Sequence, residues 1–209
     1  MDLNDKIEFV GHFSITAYKK DGTVETYEDK NLIMDLARVN MAQLVGGVIT
    51  GGAGVEGKSI DRFVLGTEGH VVGNILDYKK VGTNGFDSTR TNIFSEASGG
   101  EYYVIPFNND GGTDTTTNPA TCYNSKLPTT LETCTVRRTV QDRTVTYTIT
   151  IPEVSGNSSA VDSSVIAYTE ASLYAGDDIF SMKTFPARVK EDTVKLLISW
   201  SVIFWLRFL

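Results

Sequence analysis

Gly52-Ala53-Gly54-Val55-Glu56-Gly57-Lys58-Ser59 matches G-x-x-x-x-G-K-[ST] at every fixed position. In a phosphate-binding loop the backbone amides would cradle phosphates. The Lys58 ammonium would reach the β- and γ-phosphates, and the Ser59 hydroxyl would hold Mg²⁺. That chemistry needs a buried strand before the loop and a helix after it, with the helix N-terminus facing the anion. Neither flank fits. A helical pattern and Gly46-Gly47 come first, and the β-prone run Ile60-Asp61-Arg62-Phe63-Val64-Leu65-Gly66 follows. Ile75-Leu76-Asp77 is a poor source of a second metal contact, and a parallel βαβ series is missing. The overlapping Gly52-x-Gly54-x-x-Gly57 fingerprint fails for the same contextual reason. In a chain with 19 glycines a chance match is the simpler reading. Nucleotide binding through Gly52, Gly57, Lys58 and Ser59 is the alternative function, and no cofactor is expected.

Other reactive residue types are sparse. His12 lies in a strand pattern and His70 beside Gly69, neither with a partner that would make it a catalytic base. No catalytic residue is assigned. Cys122 and Cys134 sit in a Thr-rich stretch without further metal ligands, so a zinc site is not expected. The simplest reading is two free thiols on a loop. A disulfide closing that loop is the alternative outside the cytosol. Asp177-Asp178 reads as a hairpin turn. Asn108 to Asp114 lacks EF-hand spacing and its terminal glutamate.

With 209 residues, 41% of them hydrophobic and 22% charged, one globular domain spanning 1–209 is expected. The net charge of −7, with no Lys/Arg run longer than two, disfavours nucleic acid as a partner. The acidic start Met1-Asp2-Leu3-Asn4-Asp5 carries no apolar core of a secretory signal.

The elements that would position any site are mostly strands. Ile7, Phe9, Phe13, Ile15 and Ala17 alternate with polar neighbours. Asp21-Gly22 then turns the chain back through Val24 and Tyr27. Leu32, Ile33, Leu36, Val39, Asn40, Gln43 and Leu44 predict one helix over about 32–45, with Asn31 as its cap. From about 67 to 131 the pattern decays into a loop-rich insertion, with a short strand expected near Glu101 to Phe107. Strand signals return over 133–151, 165–174 and 179–185. The fold class expected is therefore mostly β: an antiparallel β-sandwich with one short helix.

The closing segment is the strongest pattern. Val194, Leu196, Ile198, Trp200, Val202, Phe204, Leu206 and Phe208 occupy every even position, the period of a strand with one face wholly in a core. The apolar run is about fourteen residues, interrupted by Ser199, Ser201 and Arg207. A spanning helix needs roughly 20, so no membrane association is expected. Ile203, Trp205, Phe208 and Leu209 are candidate interface residues, to be covered by a neighbouring subunit.

Two blocks carry a resemblance. The first runs Gly11-His12-Phe13-Ser14-Ile15, Asp21-Gly22-Thr23-Val24, Lys30-Asn31-Leu32-Ile33 and, after the helix, Phe63-Val64-Leu65-Gly66-Thr67. The second runs Glu170-Ala171-Ser172-Leu173-Tyr174, Ile179 to Ala187, Val189-Lys190 and Ile198 to Phe204. Together they resemble a pattern in structural proteins of tailed bacteriophages, covering about half the chain and skipping its middle. The resemblance implies a non-enzymatic virion component of the tail, neck, baseplate or fibre-attachment type. It implies packing with copies of itself, as an oligomer or ring, and with other virion proteins, in a particle assembled in the host cytoplasm.

Overall fold

The computed structural model describes residues 6–45, 58–107, 118–160 and 163–207. In chain order the elements are β1 (Lys6–Lys19), β2 (Val24–Ile33), α1 (Asp35–Val45), β3 (Arg62–Gly66), β4 (His70–Val71), β5 (Asn74–Tyr78), α2 (Phe94–Ser98), β6 (Tyr102–Pro106), β7 (Asn118–Asn124), β8 (Leu127–Gln141), β9 (Thr144–Ile151), β10 (Ile166–Ala175), β11 (Asp178–Lys190) and β12 (Val194–Arg207). Ten of the strands form one closed antiparallel barrel in the order β1-β12-β9-β8-β7-β6-β3-β10-β11-β2, and β4 and β5 form a separate hairpin.

The closed barrel corrects the sandwich expectation. Alternation in a strand determines which side chains face inward, and it is blind to whether two sheet edges meet. Two short ladders close this sheet. Leu32 and Ile33 of β2 pair with Met182 and Ser181 of β11. Tyr103 and Val104 of β6 pair with Asn124 and Tyr123 of β7. The first ladder also explains why the helix begins at Asp35 and not near residue 32. Leu32 and Ile33 remain in β2, and Asn31 is a strand residue, not a cap. A second short helix, α2, lies within the stretch read as a loop-rich insertion. That stretch also supplies β6 and β7, whose Tyr103, Ile105, Ala120 and Cys122 enter the core.

The inner face of β12 lies where its alternation placed it. Val194, Leu196, Ile198, Trp200 and Val202 are all buried. Trp200 sits edge-on to Phe13 at 4.9 Å and to Phe63 at 5.9 Å. Phe13 in turn stacks on Phe185 at 5.2 Å. These rings fill the barrel with side chains instead of leaving a channel. At the end where β1 begins and β12 ends, Phe107 stacks on Tyr147 at 4.9 Å, and α1 packs Ala37 and Met41 onto the core. A second cluster of Met34, Val64, Phe86, Ile93, Phe94, Tyr174, Ile179 and Met182 forms outside the barrel wall, beneath residues 79–99.

Gly11 is required by a close approach. The Asn31 carboxamide, on the neighbouring strand, lies where a Cβ at position 11 would stand. Neither amide atom of Asn31 has a hydrogen-bond partner among the described residues. We expect Gly11→Ala to cost about 1–3 kcal/mol, as overpacking does. Adding Asn31→Ala should recover most of that loss. Urea unfolding midpoints of the two single variants and the double variant measure both effects.

Candidate functional site

Lys58 and Ser59 of the Walker-like motif are described, and Gly52 and Gly57 lie outside the described residues. The Lys58 amide donates to Asn40 Oδ1 at 2.6 Å, and Asn40 Nδ2 donates back to the Lys58 carbonyl at 2.5 Å. An amide that a phosphate would require is thus already engaged by α1. The Lys58 side chain lies against Gly176, closing off the space a Cβ would take there. Residues 58–61 have no regular structure and lead into β3, so no helix N-terminus follows Ser59. Asp77, already a poor source of a second metal contact by sequence, lies on β5 of the separate hairpin.

The two cysteines are not on a loop. Cys122 lies on β7 and Cys134 on β8, both free and wholly buried. The register Ala120↔Cys134 and Cys122↔Glu132 makes them diagonal neighbours on the inner face. Tyr103 Oη donates to Glu132 Oε2 at 2.6 Å and lies 3.5 Å from Cys134 Sγ. Hydrogen bonding to Cys134 and burial push the Cys122 thiol well above its ordinary range. A thiol held protonated and out of water is a poor nucleophile. His12 is exposed on the outer face of β1, and His70 Nδ1 lies 2.9 Å from the Thr67 carbonyl. Asp177 and Asp178 mark the β10–β11 turn. Beyond pairing the two cysteines, the structure does not bring these residues together, and no group of three or more His, Cys, Asp or Glu that could hold a metal occurs among the described residues.

Sequence reasoning missed the two most deeply placed charges. Glu170 on β10 is fully buried and anchors the start of α2. Its Oε2 accepts from the Phe94 amide at 2.8 Å, and its Oε1 from the Ser95 amide at 2.7 Å and the Ser95 hydroxyl at 2.5 Å. Burial raises its carboxyl above the usual range despite these three donors. Lys190, at the end of β11, is also buried. Its Nζ donates to the Glu153 carbonyl at 2.7 Å, Asn157 Oδ1 at 2.8 Å and the Glu191 carbonyl at 2.9 Å. All three ammonium hydrogens are used, so Lys190 ties the 152–158 segment over the barrel end. Glu132 helps, accepting from the Gly156 amide at 2.7 Å, and Tyr168 Oη donates to the Gly156 carbonyl at 2.8 Å. The available sequence signal was a lone charge within an apolar strand, as in Tyr168-Thr169-Glu170-Ala171.

The remaining features are on the surface. Of the interface candidates, Ile203 is half-buried on the outer face of β12, opposite Val10 and Thr144. Trp205 is placed in β12 opposite Glu8, and Phe208 and Leu209 lie outside the described residues. A groove of 330 Å³ runs between the β8–β9 hairpin and Ile203-Phe204. A second, of 370 Å³, lies on the outer face of β8 and β9, against Pro152, Val154 and Ser155. The most exposed large apolar side chains are Val72 (90%) and Leu76 (83%), on the β4–β5 hairpin.

Burial brings Lys190 down to about 8 from its ordinary 10.5, against the pull of Glu132 and Glu153. Between those values the unfolded chain binds more protons than the folded one, so this group makes stability rise with pH across that window. Wild type should therefore gain stability relative to Lys190→Met between about pH 8 and 10, read as the difference in urea midpoints. Cys122 and Cys134 should resist a disulfide thiol reagent in the folded protein and react only in denaturant. Absorbance of the released thiolate measures this. No protein-family model, curated protein sequence or solved structure matches this chain.

Proposed function

We propose that this protein is a non-enzymatic structural component of a tailed-phage virion, packing into a tail, neck or baseplate assembly through subunit interfaces. The observation that carries the reading is where the phage-like blocks fall. They lie on β1, β2, β3, β10, β11 and β12, which are neighbours around the barrel in the order β3-β10-β11-β2-β1-β12. The skipped middle of the chain supplies the whole of the other arc, β9-β8-β7-β6. Segments far apart in sequence thus form one continuous wall, as a shared structural unit would. The inner groups support the same reading. Aromatic rings occupy the barrel interior, and Glu170 and Lys190 hold elements in place. Function then falls to the outer surface, where subunits bury area against one another.

The test pairs two measurements. Mass spectrometry of purified particles should find the protein as a stoichiometric virion component. ATP and GTP binding, with Mg²⁺ present, should be absent from both the wild type and Lys58→Ala. Failure to find the protein in particles, or Mg²⁺-dependent nucleotide binding that Lys58→Ala abolishes, would overturn the proposal.

A further inference from the structure

We infer that Lys190 and Asn157 become joined through their side chains, the Lys190 amine displacing ammonia from the Asn157 carboxamide to leave an intramolecular isopeptide bond. The Nζ–Cγ bond forms and the Cγ–Nδ2 bond breaks. Nζ gives up one hydrogen as it bonds, and Nδ2 carries that hydrogen away as ammonia. No electrons change hands, so the step needs no oxidant, cofactor or second protein. It stands independently of the assembly reading above.

The two side chains are in direct contact. Lys190 Nζ donates to Asn157 Oδ1 at 2.8 Å and to the Glu153 carbonyl at 2.7 Å. Asn157 Nδ2 donates to that same Glu153 carbonyl at 3.2 Å. An ammonium only donates and a backbone carbonyl only accepts, so these partners fix which amide atom is oxygen and which is nitrogen. The attacking and departing nitrogens thus share one acceptor. A C=O bond is about 1.2 Å long, so Nζ lies no more than about 4 Å from Cγ. Near-attack pairs stand roughly 3–3.5 Å apart, a short approach from here.

Asn157 is held in place from both sides. The amide of Gly156, just before it, donates to Glu132 Oε2 at 2.7 Å, and Tyr168 Oη donates to the Gly156 carbonyl at 2.8 Å. The Asn157 carbonyl accepts from Asn124 Nδ2 at 3.2 Å, and the Ser159 amide donates to Glu101 Oε1 at 2.7 Å. Lys190 is fixed by the β10–β11 ladder, where it pairs with buried Ile166. Groups held in this way react without first losing the freedom that free reactants would lose.

Burial supplies the other requirement, since an ammonium has no lone pair and cannot attack. Lys190 is fully buried, and that brings it down to about 8, although Glu132, Glu153, Asp192 and Cys134 pull the other way. About a tenth of the chains then carry a neutral amine at pH 7, against fewer than about one in a thousand for an exposed lysine. The neutral amine keeps two hydrogens for the Glu153 and Glu191 carbonyls, and its lone pair faces the carboxamide. The bond staples the 152–158 segment to the end of β11, where hydrogen bonds already tie it. Linkage also removes Lys190 from titration, so the stability gain above pH 8 belongs to the unlinked chain.

Mass spectrometry of the purified full chain, incubated at about pH 9 where the Lys190 amine is mostly neutral, tests this. Wild type should lose the mass of one ammonia, and a protease digest should contain a branched peptide joining Asn157 to Lys190. Lys190→Arg should keep the Asn157 carboxamide intact. Asn84-Gly85 can also lose ammonia by closing to a succinimide, so the branched peptide decides. It does so from the wild type alone, even where the variant fails to fold. A wild type with native circular dichroism that yields no branched peptide would overturn the linkage. So would a wild type in which Asn157 loses ammonia only to the extent seen in Lys190→Arg.

Discussion

The longest ladder in the barrel joins the first strand to the last. Lys6 through Lys19 of β1 pair antiparallel with Arg207 through Val194 of β12. Every other strand is built out from this pair, through β2 on one side and β9 on the other. Because even its nearest partners, Lys19 and Val194, are separated by all the other strands, a long loop must close before this ladder can form. Once formed, it brings Phe13 onto Trp200 and sets the level at which the aromatic core is assembled.

Closure follows from that core. The ladders linking β2 to β11 and β6 to β7 are short, and the backbone bonds they contribute are correspondingly few. What holds the walls together is the apolar burial between them: Phe13 against Phe185, Trp200 against Phe63, and the aliphatic residues around them. The open stretch between β2 and β11 is bridged by side chains instead. Lys183 reaches Asp29 at 2.5 Å, and the Tyr27 ring lies beside Phe185. Asp29 is partly exposed, so this pair gives position more than stability. The two most deeply buried charges, Glu170 and Lys190, serve in a similar way. Each satisfies backbone or amide groups that the covering segments would otherwise leave unpaired. The interior is thereby committed to packing.

How much of this could be read from sequence differs from residue to residue. The alternation of Val194 to Val202 placed an inner face correctly, because burial on one side of a strand imposes a period of two whatever the strand pairs with. Asp21-Gly22 marked the β1–β2 turn, where Gly22 has a φ of 86°. Cys122 and Cys134 were placed on a loop because their threonine-rich surroundings carry little hydrophobic signal, although threonine also suits the outward face of a strand. The Walker-like letters drew attention to Lys58, yet its surroundings depend on Asn40 and Gly176, neither of which the motif contains. Val72 and Leu76 looked like part of a decaying pattern, and their exposure depends on where β11 anchors the hairpin.

The sequence alone therefore determined the strand-rich character, the main turns and the inward faces, since these follow from local periodicity and from turn chemistry at single residues. Only the tertiary structure decided that the sheet closes, that the middle of the chain completes the wall, and that Glu170 and Lys190 are buried. Those features depend on pairings between residues remote in sequence, such as Leu32 with Met182 and Tyr103 with Asn124. The burial that favours such pairings exists only once the whole core is assembled.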